Sequence, residues 1–545
     1  MSAVNKFLWW QKGVIYQIYP RSFMDADGDG VGDIPGIIQR LDYLTDILAV
    51  DAIWLSPFYP SPMADFGYDV ANYTDIDPLF GDLDDFDRLV EQAHNRDLKI
   101  IIDFVPNHSS DQHPWFIESS SSRANPKRSW YTWRDAKQDG SPPNNWLSVF
   151  GGSAWEWHPP TDQYYLHSFL KEQPDLNWRD PNLKEAMFEV LRFWLDREVD
   201  GFRIDVAHFI MKDPELRDNP LKPVPSSDYH KSLGDYDSQI MLHNQNHADI
   251  HPLYREIRQL LEEYSSDQPR VSIGEIHIFD WHEWAEYYGQ DLDELHLPMN
   301  FQLLGIDLQP AAIQKVVESM EQAIPPGAWP NFVIGNHDET RIASRRSEPE
   351  ARLSAMLLLT LRGTPVMYYG DEIGMREASI PPERLQDPWG IRVPGLGRDG
   401  CRTPMQWTSQ SGAGFSAAGA NATWLPIHEN YRKTNVDDQL REQGSILNLY
   451  RQLLSLRKSA PALQVGSFTQ IKDVHEGCYA YKRSVNGSST YFVMLNFSAE
   501  KLVLNISQPE KGRLRISTLL DREEIVDMAN LHLRGFEGTV IESIA

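Results

Sequence analysis

The segment VDGFRIDVAHF, residues 199–209, is a run of strand-forming residues interrupted by charge. Alternate residues of a β-strand share a face, so Gly201, Arg203 and Asp205 point one way and Phe202, Ile204 and Val206 the other. The run follows at once on LKEAMFEVLRFWLDRE, where Met187, Val190, Leu191 and Trp194 keep helical spacing. A helix passing straight into a strand suggests repeated α/β units around a buried sheet, where unpaired charge is costly. An arginine and an aspartate on one face of such a strand call for a chemical reason.

Seven other apolar runs end, like this one, in polar residues. They are GVIYQIYP (13–20), VDAIWLSPF (50–58), LKIIIDFVPNH (98–108), RVSIGEI (270–276), DELHLPMNF (293–301), WPNFVIGNHD (329–338) and GTPVMYYGDEIG (363–374). Helical patterns lie between most of them, including residues 37–48, 83–97 and 350–362. Eight strands alternating with helices predict a (β/α)8 TIM barrel of the α/β class. An open doubly wound sheet is the alternative.

The barrel divides into a first part, 1–106, and a second, 177–465. Residues 107–176, rich in Pro, Ser, Asn and Trp, are too long for an ordinary connection and predict an inserted subdomain after strand three. A Gly-rich irregular region, about 375–430, follows strand eight, and a helix is expected over 444–458. From 466 to 545 short strands such as CYAYKRSV, STYFVMLNF and KLVLNI, separated by turns, predict a C-terminal antiparallel β-domain.

The chain has 545 residues, enough for more than one domain, and a formal charge of −27. That charge argues against nucleic acid or an anionic membrane as partner, since both require a basic surface. Two cysteines, Cys401 and Cys478, are too few for a disulfide framework and fit a reducing cytoplasm. The first twenty residues lack a signal-peptide pattern, and no apolar run is long enough to span a bilayer. A cytoplasmic location is expected, with the oligomeric state, monomer or dimer, left open.

In a barrel the active site lies at the C-terminal ends of the strands. Four of those ends carry acids: Asp103, Asp205, Glu275 and Asp338, with His108, Arg203 and His337 beside them. Any one acid alone could cap a helix or pair locally. Four like charges on one rim disfavour one another and need a purpose. A metal pair would want closely spaced histidines on an early strand, and strand one has none. Glycoside cleavage wants one carboxylate as nucleophile and one carboxyl as proton donor, with aromatic platforms for the sugar.

The ordered set DFVPNH (103–108), GFRIDVAHF (201–209), GEI (274–276) and GNHD (335–338), together with QPDLN (173–177), resembles glycoside hydrolase family 13, the α-amylase family. Within it the chain is similar to the α-glucosidase and oligo-1,6-glucosidase branch over essentially its whole length. The resemblance implies Asp205 as nucleophile, Glu275 as general acid and then base, and Asp338 as stabiliser of the distorted sugar. It implies that Arg203 orients Asp205, that Asp103 supports that pair, and that His108 and His337 bond the same sugar. Asp65 and Tyr68, in SPMADFGYDV, would accept and stack on a terminal glucose. Arg402, in RDGCRTPMQW, would reach Asp65 and close the pocket. Phe150 and Phe169 are candidates for pocket walls, with core packing as their plain alternative.

In DADGDGVGD (25–33), Asp25, Asp27, Asp29 and Asp33 alternate with glycines, and with the Val31 carbonyl they offer an oxygen-only cage for Ca2+ or Mg2+. The loop resembles the branch's structural calcium loop. The activity expected is that of a retaining, exo-acting α-glucosidase on short oligosaccharides or glucosides, mainly α-1,4-linked, with α-1,6 tolerated and transglucosylation allowed. Rivals are an oligo-1,6-glucosidase, a sucrose-using glucosyltransferase or isomerase, and a trehalose synthase. From another class, a non-catalytic binding protein on this fold, such as a transporter heavy chain, would carry a membrane span and generally lack the acids.

Overall fold

Strands β1 (Ile15–Ile18), β2 (Ala52–Leu55) and β3 (Lys99–Phe104) open a parallel sheet. An insertion then carries β4 (Trp133–Arg134), β5 (Trp155–His158) and β6 (Gln163–Leu166), a separate antiparallel sheet with β6 in the middle. The parallel sheet resumes with β7 (Gly201–Ile204), β8 (Val271–Gly274), β9 (Leu297–Pro298), β10 (Asn331–Val333) and β11 (Thr364–Tyr368). The computed structural model describes residues 7–227, 229, 231–266, 268–417, 419, 422–506 and 509–544.

The eight strands lie in the order β10-β11-β1-β2-β3-β7-β8-β9. Chain neighbours are sheet neighbours, and β11 returns to pair with β1. A doubly wound sheet would reverse its order at a switch point, so this is a barrel. The seam between β9 and β10 is crossed by Asn331, whose side chain accepts from the Asn300 amide (3.3 Å) and donates to the Leu297 carbonyl (3.4 Å).

Alternation along the strands fills both faces. Ile15, Trp54, Ile101, Ile273, Leu297 and Val366 pack together inside the barrel. Their chain neighbours Tyr16, Ile53, Ile102 and Met367, together with Phe202, pack outward under the helices. Register places Asp103 directly beside Arg203 on adjacent parallel strands. Charge at the top of the barrel is thus paired by the sheet itself.

The helix before β7 runs Pro181–Asp196. Asp180 caps it by accepting from the Asn182 and Leu183 amides, and Met187, Val190, Leu191 and Trp194 are buried as their spacing requires. Helices also occupy Leu83–His94, Glu348–Thr360 and Ile446–Ser459. The single helix expected over 37–48 is divided. An α-helix covers Ile34–Gln39 and a π-helical turn Tyr43–Leu48, which ends at Ala49 in the left-handed conformation. This register brings the Tyr43 hydroxyl to 2.8 Å from Glu372 Oε1 in the core.

After β11 the chain runs through short helical turns to Arg432. Beyond the helix Ile446–Ser459, a six-stranded antiparallel sheet is laid down, with Cys478–Ser484, Tyr491–Asn496 and Gly538–Ser543 adjacent at its centre. Both cysteines are buried and free. Among the described residues no helix is long and apolar enough to cross a membrane.

Candidate active site

Arg203 is the hub at the top of the barrel. Its Nη1 donates to Asp205 Oδ1 (2.9 Å) and to both oxygens of Asp103 (3.2 Å each), and its Nη2 donates to Glu275 Oε2 (2.5 Å). The guanidinium lies over the Trp54 ring, whose N–H donates to Asp103. One cation therefore serves three buried acids on three neighbouring strands. Charge-assisted bonds of this kind hold a carboxylate in orientation as well as in charge.

The acids differ in what else reaches them. Burial alone would raise Glu275, but Arg203 and a bond from His277 outweigh it, and Glu275 is held below the ordinary glutamate range. Its oxygens take three donors, Arg203, the Val206 amide and His277. Among the described residues Asp205 takes one, from Arg203. Burial pushes it well above the ordinary aspartate range despite Arg203, with Glu275, Asp103 and Asp338 adding to the rise. Two carboxyls crowded on one guanidinium titrate as a pair, so the last proton belongs to the pair and not to either acid alone. Asp103, fully enclosed, is pushed by burial up to about 6 against the pull of Arg203.

Asp338 forms the far wall. Its Oδ1 accepts from Arg402 Nη2 (2.9 Å) and Arg398 Nη1 (3.2 Å), and His337 Nε2 is 3.3 Å from Oδ2. Burial would raise it, but His337 and the two arginines outweigh burial and hold it well below the usual range. His337 is itself lowered by burial to about 3, and is neutral. The Gln17 amide donates to its Nδ1 (2.7 Å), and its Nε2 is 2.6 Å from the Tyr68 hydroxyl, which donates to Asp103. His108, lowered by burial to about 4, is 3.0 Å from Gln173, and the same amide donates to Asp65 Oδ2.

Two expectations are corrected. Asp65 is reached by Arg398, not by Arg402: Arg398 Nη2 lies 2.7 Å from Asp65 Oδ1 and 2.6 Å from Asp387 Oδ1. Arg402, four residues on along a helical turn, binds Asp338 and the His337 carbonyl instead. Val206 does not continue the strand's outward face. It turns left-handed at φ 36°, a strained position for a branched residue, so that its amide meets Glu275 and its side chain lines the pocket.

The pocket gathers Asp65, Tyr68, His108, Asp205, Glu275 and Asp338, with His337 and Arg398. Phe150 and Phe169 do form its wall, packed edge-on at 5.6 Å, and Phe150 stacks on Trp389 at 5.1 Å. Val206 and Phe209 extend the same apolar cluster. Arg398, Asp387, Gln173, His277 and Trp389 were not singled out from sequence. Arg398 stood inside the segment already noted, and strand alternation past Gly274 puts His277 beside Glu275.

In the acidic loop Asp25, Asp27 and Asp29 bring one oxygen each within 4.8 Å of one another. Asp25 accepts from the Gly28 and Gly30 amides. Burial, then Asp27 and Asp25, push Asp29 upward against a bond from the Val31 amide. Such hard, mutually repelling oxygens fit a divalent cation. Asp33 is engaged elsewhere: it caps the helix Ile34–Gln39 through the Gly36 amide (2.6 Å) and accepts from the Ala26 amide (2.9 Å).

Residues 17–466 match the family described as the α-amylase catalytic domain. A probable α-glucosidase of Rhizobium meliloti is 42% identical over 94% of this chain and 95% of its own. An oligo-1,6-glucosidase of Parageobacillus thermoglucosidasius is 36% identical over 98% of each. The crystal structure of the α-glucosyl transfer enzyme XgtA superposes with a TM-score of 0.92 at 42% identity, covering 99% of this chain and all of the other.

Proposed function

The chain belongs to the α-amylase family and is a glycoside hydrolase of its α-glucosidase type, and on that premise we propose a retaining, exo-acting α-glucosidase with Asp205 as nucleophile. The observation that carries this is the single guanidinium of Arg203 shared by Asp205 and Glu275. Asp205 Oδ attacks the anomeric carbon as the glycosidic C–O bond breaks, and Glu275 gives its proton to the departing oxygen. Water then attacks the glucosyl ester, Glu275 takes its proton, and Asp205 leaves. Two inversions give net retention. For the first step the pair's one proton is on Glu275, leaving Asp205 ionised and oriented by Arg203 for attack.

Asp338, held ionised between two arginines, receives the hydroxyls of the distorted sugar and favours the oxocarbenium-like transition state. The bond between Asp65 and Arg398 closes the pocket beyond a terminal glucose, so glucose leaves one unit at a time. Short α-1,4-linked glucosides are the main substrates, with α-1,6 linkages tolerated and a cytoplasmic location. The apolar wall of Phe150, Phe169, Val206 and Phe209 shields the ester from water, which supports transfer to acceptor sugars as a second outcome. Asp25, Asp27 and Asp29, with the Val31 carbonyl, would hold a structural Ca2+ remote from these steps, in a loop that Asp33 fixes by capping the helix Ile34–Gln39.

Proton NMR during maltotriose cleavage tests this directly. α-Glucose appearing first, together with maltose, supports the proposal. β-Glucose first would overturn retention, and long oligosaccharides appearing before glucose from starch would overturn exo action.

A further inference from the structure

His277 Nε2 lies 2.7 Å from Glu275 Oε1. The imidazole is held face to face on Phe301, ring centres 4.4 Å apart and planes inclined by 16°, with Tyr229 edge-on at 5.2 Å. Its Nδ1 is buried and has no hydrogen-bond partner among the described residues. Nε2 is placed to donate to the Glu275 carboxylate, which can only accept when ionised.

We propose that His277 is a positioning residue that holds Glu275 through this one donated bond and so sets the pH at which the Asp205–Glu275 pair gives up its last proton. The proposal rests on Glu275 being the acid/base. Facing Glu275 are Arg203 at the end of β7, Asp205 just beyond it, and Asp338 beyond β10, with Asp103 reached through Arg203. Facing His277 from the segment after β7 are His208, at 5.9 Å between ring centres, and Tyr229, whose hydroxyl donates to Glu339. His208 is lowered by burial to about 3 and stays neutral over the working range. Of the three donors to Glu275, the two others are a guanidinium that does not titrate and a backbone amide. His277 is the adjustable one.

A bond to the charged form favours ionisation, so removing it makes the pair hold its last proton to higher pH. His277→Phe keeps a ring on Phe301 and deletes the donor, whereas His277→Gln supplies an amide donor. The readouts are kcat/KM for maltose against pH, and the rate on α-glucosyl fluoride, whose leaving group needs little protonation. The alkaline limb for His277→Phe is expected to move up by about one pH unit, with kcat/KM for the fluoride falling less than that for maltose. His277→Gln should bring the limb back. If His277→Phe does not fold, as judged by thermal unfolding, His277→Leu is compared with His277→Gln in the same way. An unchanged limb in a folded donor-less variant overturns the proposal. If Glu275→Gln slows maltose and the fluoride equally, it is the acid/base reading that has failed.

Discussion

Arg398 Nη2 stands 2.7 Å from Asp65 Oδ1, tying the loop after β2 to the irregular region after β11 across the mouth of the pocket. The same guanidinium reaches Asp387 and Asp338. Removing it leaves buried carboxylates without their cation, which typically costs about 3–5 kcal/mol. Arg398→Ala should lose stability of that order in urea titration and at least 100-fold in kcat/KM for maltose. Arg398→Lys should not restore activity, because a point charge cannot bridge three carboxylates as a planar fork does. Full activity in the lysine variant would refute the account of the closure.

Val206, strained at φ 36° beside Glu275, is placed to touch the leaving sugar. A methyl-scale change there is worth ~1–3 kcal/mol, a preference and not an exclusion. The ratio of kcat/KM for maltose to isomaltose should exceed one in the parent and shift by no more than about 100-fold in Val206→Thr. A wide native preference for isomaltose that reverses on substitution would show the enzyme to be an oligo-1,6-glucosidase.

A cation bound only by the folded chain adds stability by mass action, about 2.7 kcal/mol at 100-fold excess over Kd. Chelation should therefore lower Tm by a few degrees, and Asp27→Asn should remove the response. Elemental analysis of the purified protein should find about one Ca2+ per chain. An unchanged Tm together with no metal would remove the site.

His113 is buried, accepts from the Trp115 amide through Nδ1 and caps the helix Pro114–Ser121. Burial lowers it to about 3, below its ordinary value of about 6.5. As pH falls below 6.5 the unfolded chain takes up a proton that the native histidine refuses, so stability is lost from there down towards pH 3. His113→Asn keeps a capping acceptor without this linkage. Between pH 7 and 4.5 the variant should lose up to about 3 kcal/mol less than the parent, by urea titration at each pH. Parallel pH profiles for the two proteins would contradict a neutral, buried His113.

The barrel was legible because each strand is an apolar run ending in polar residues, four of them in acids, and alternation alone put Arg203 and Asp205 on one face. Alternation failed at Val206, where the strand ends and the backbone turns left-handed to give its amide to Glu275. It also could not separate Arg398 from Arg402. Both sit on one short turn and both meet Asp338, and only the fold shows which one extends to Asp65. The division of the helix over 37–48 places Tyr43 against Glu372, more than 300 residues away, a contact with no local signal.

The central claim is that Asp205 becomes covalently bonded to glucose. Incubation with a 5-fluoro-α-glucosyl fluoride, which slows the second step more than the first, should accumulate the ester. Proteolysis and mass spectrometry should then find the fluoroglucosyl group on the peptide containing Asp205, and not in Asp205→Asn. The label on another carboxylate, or turnover of maltose undiminished in Asp205→Asn, would contradict the account.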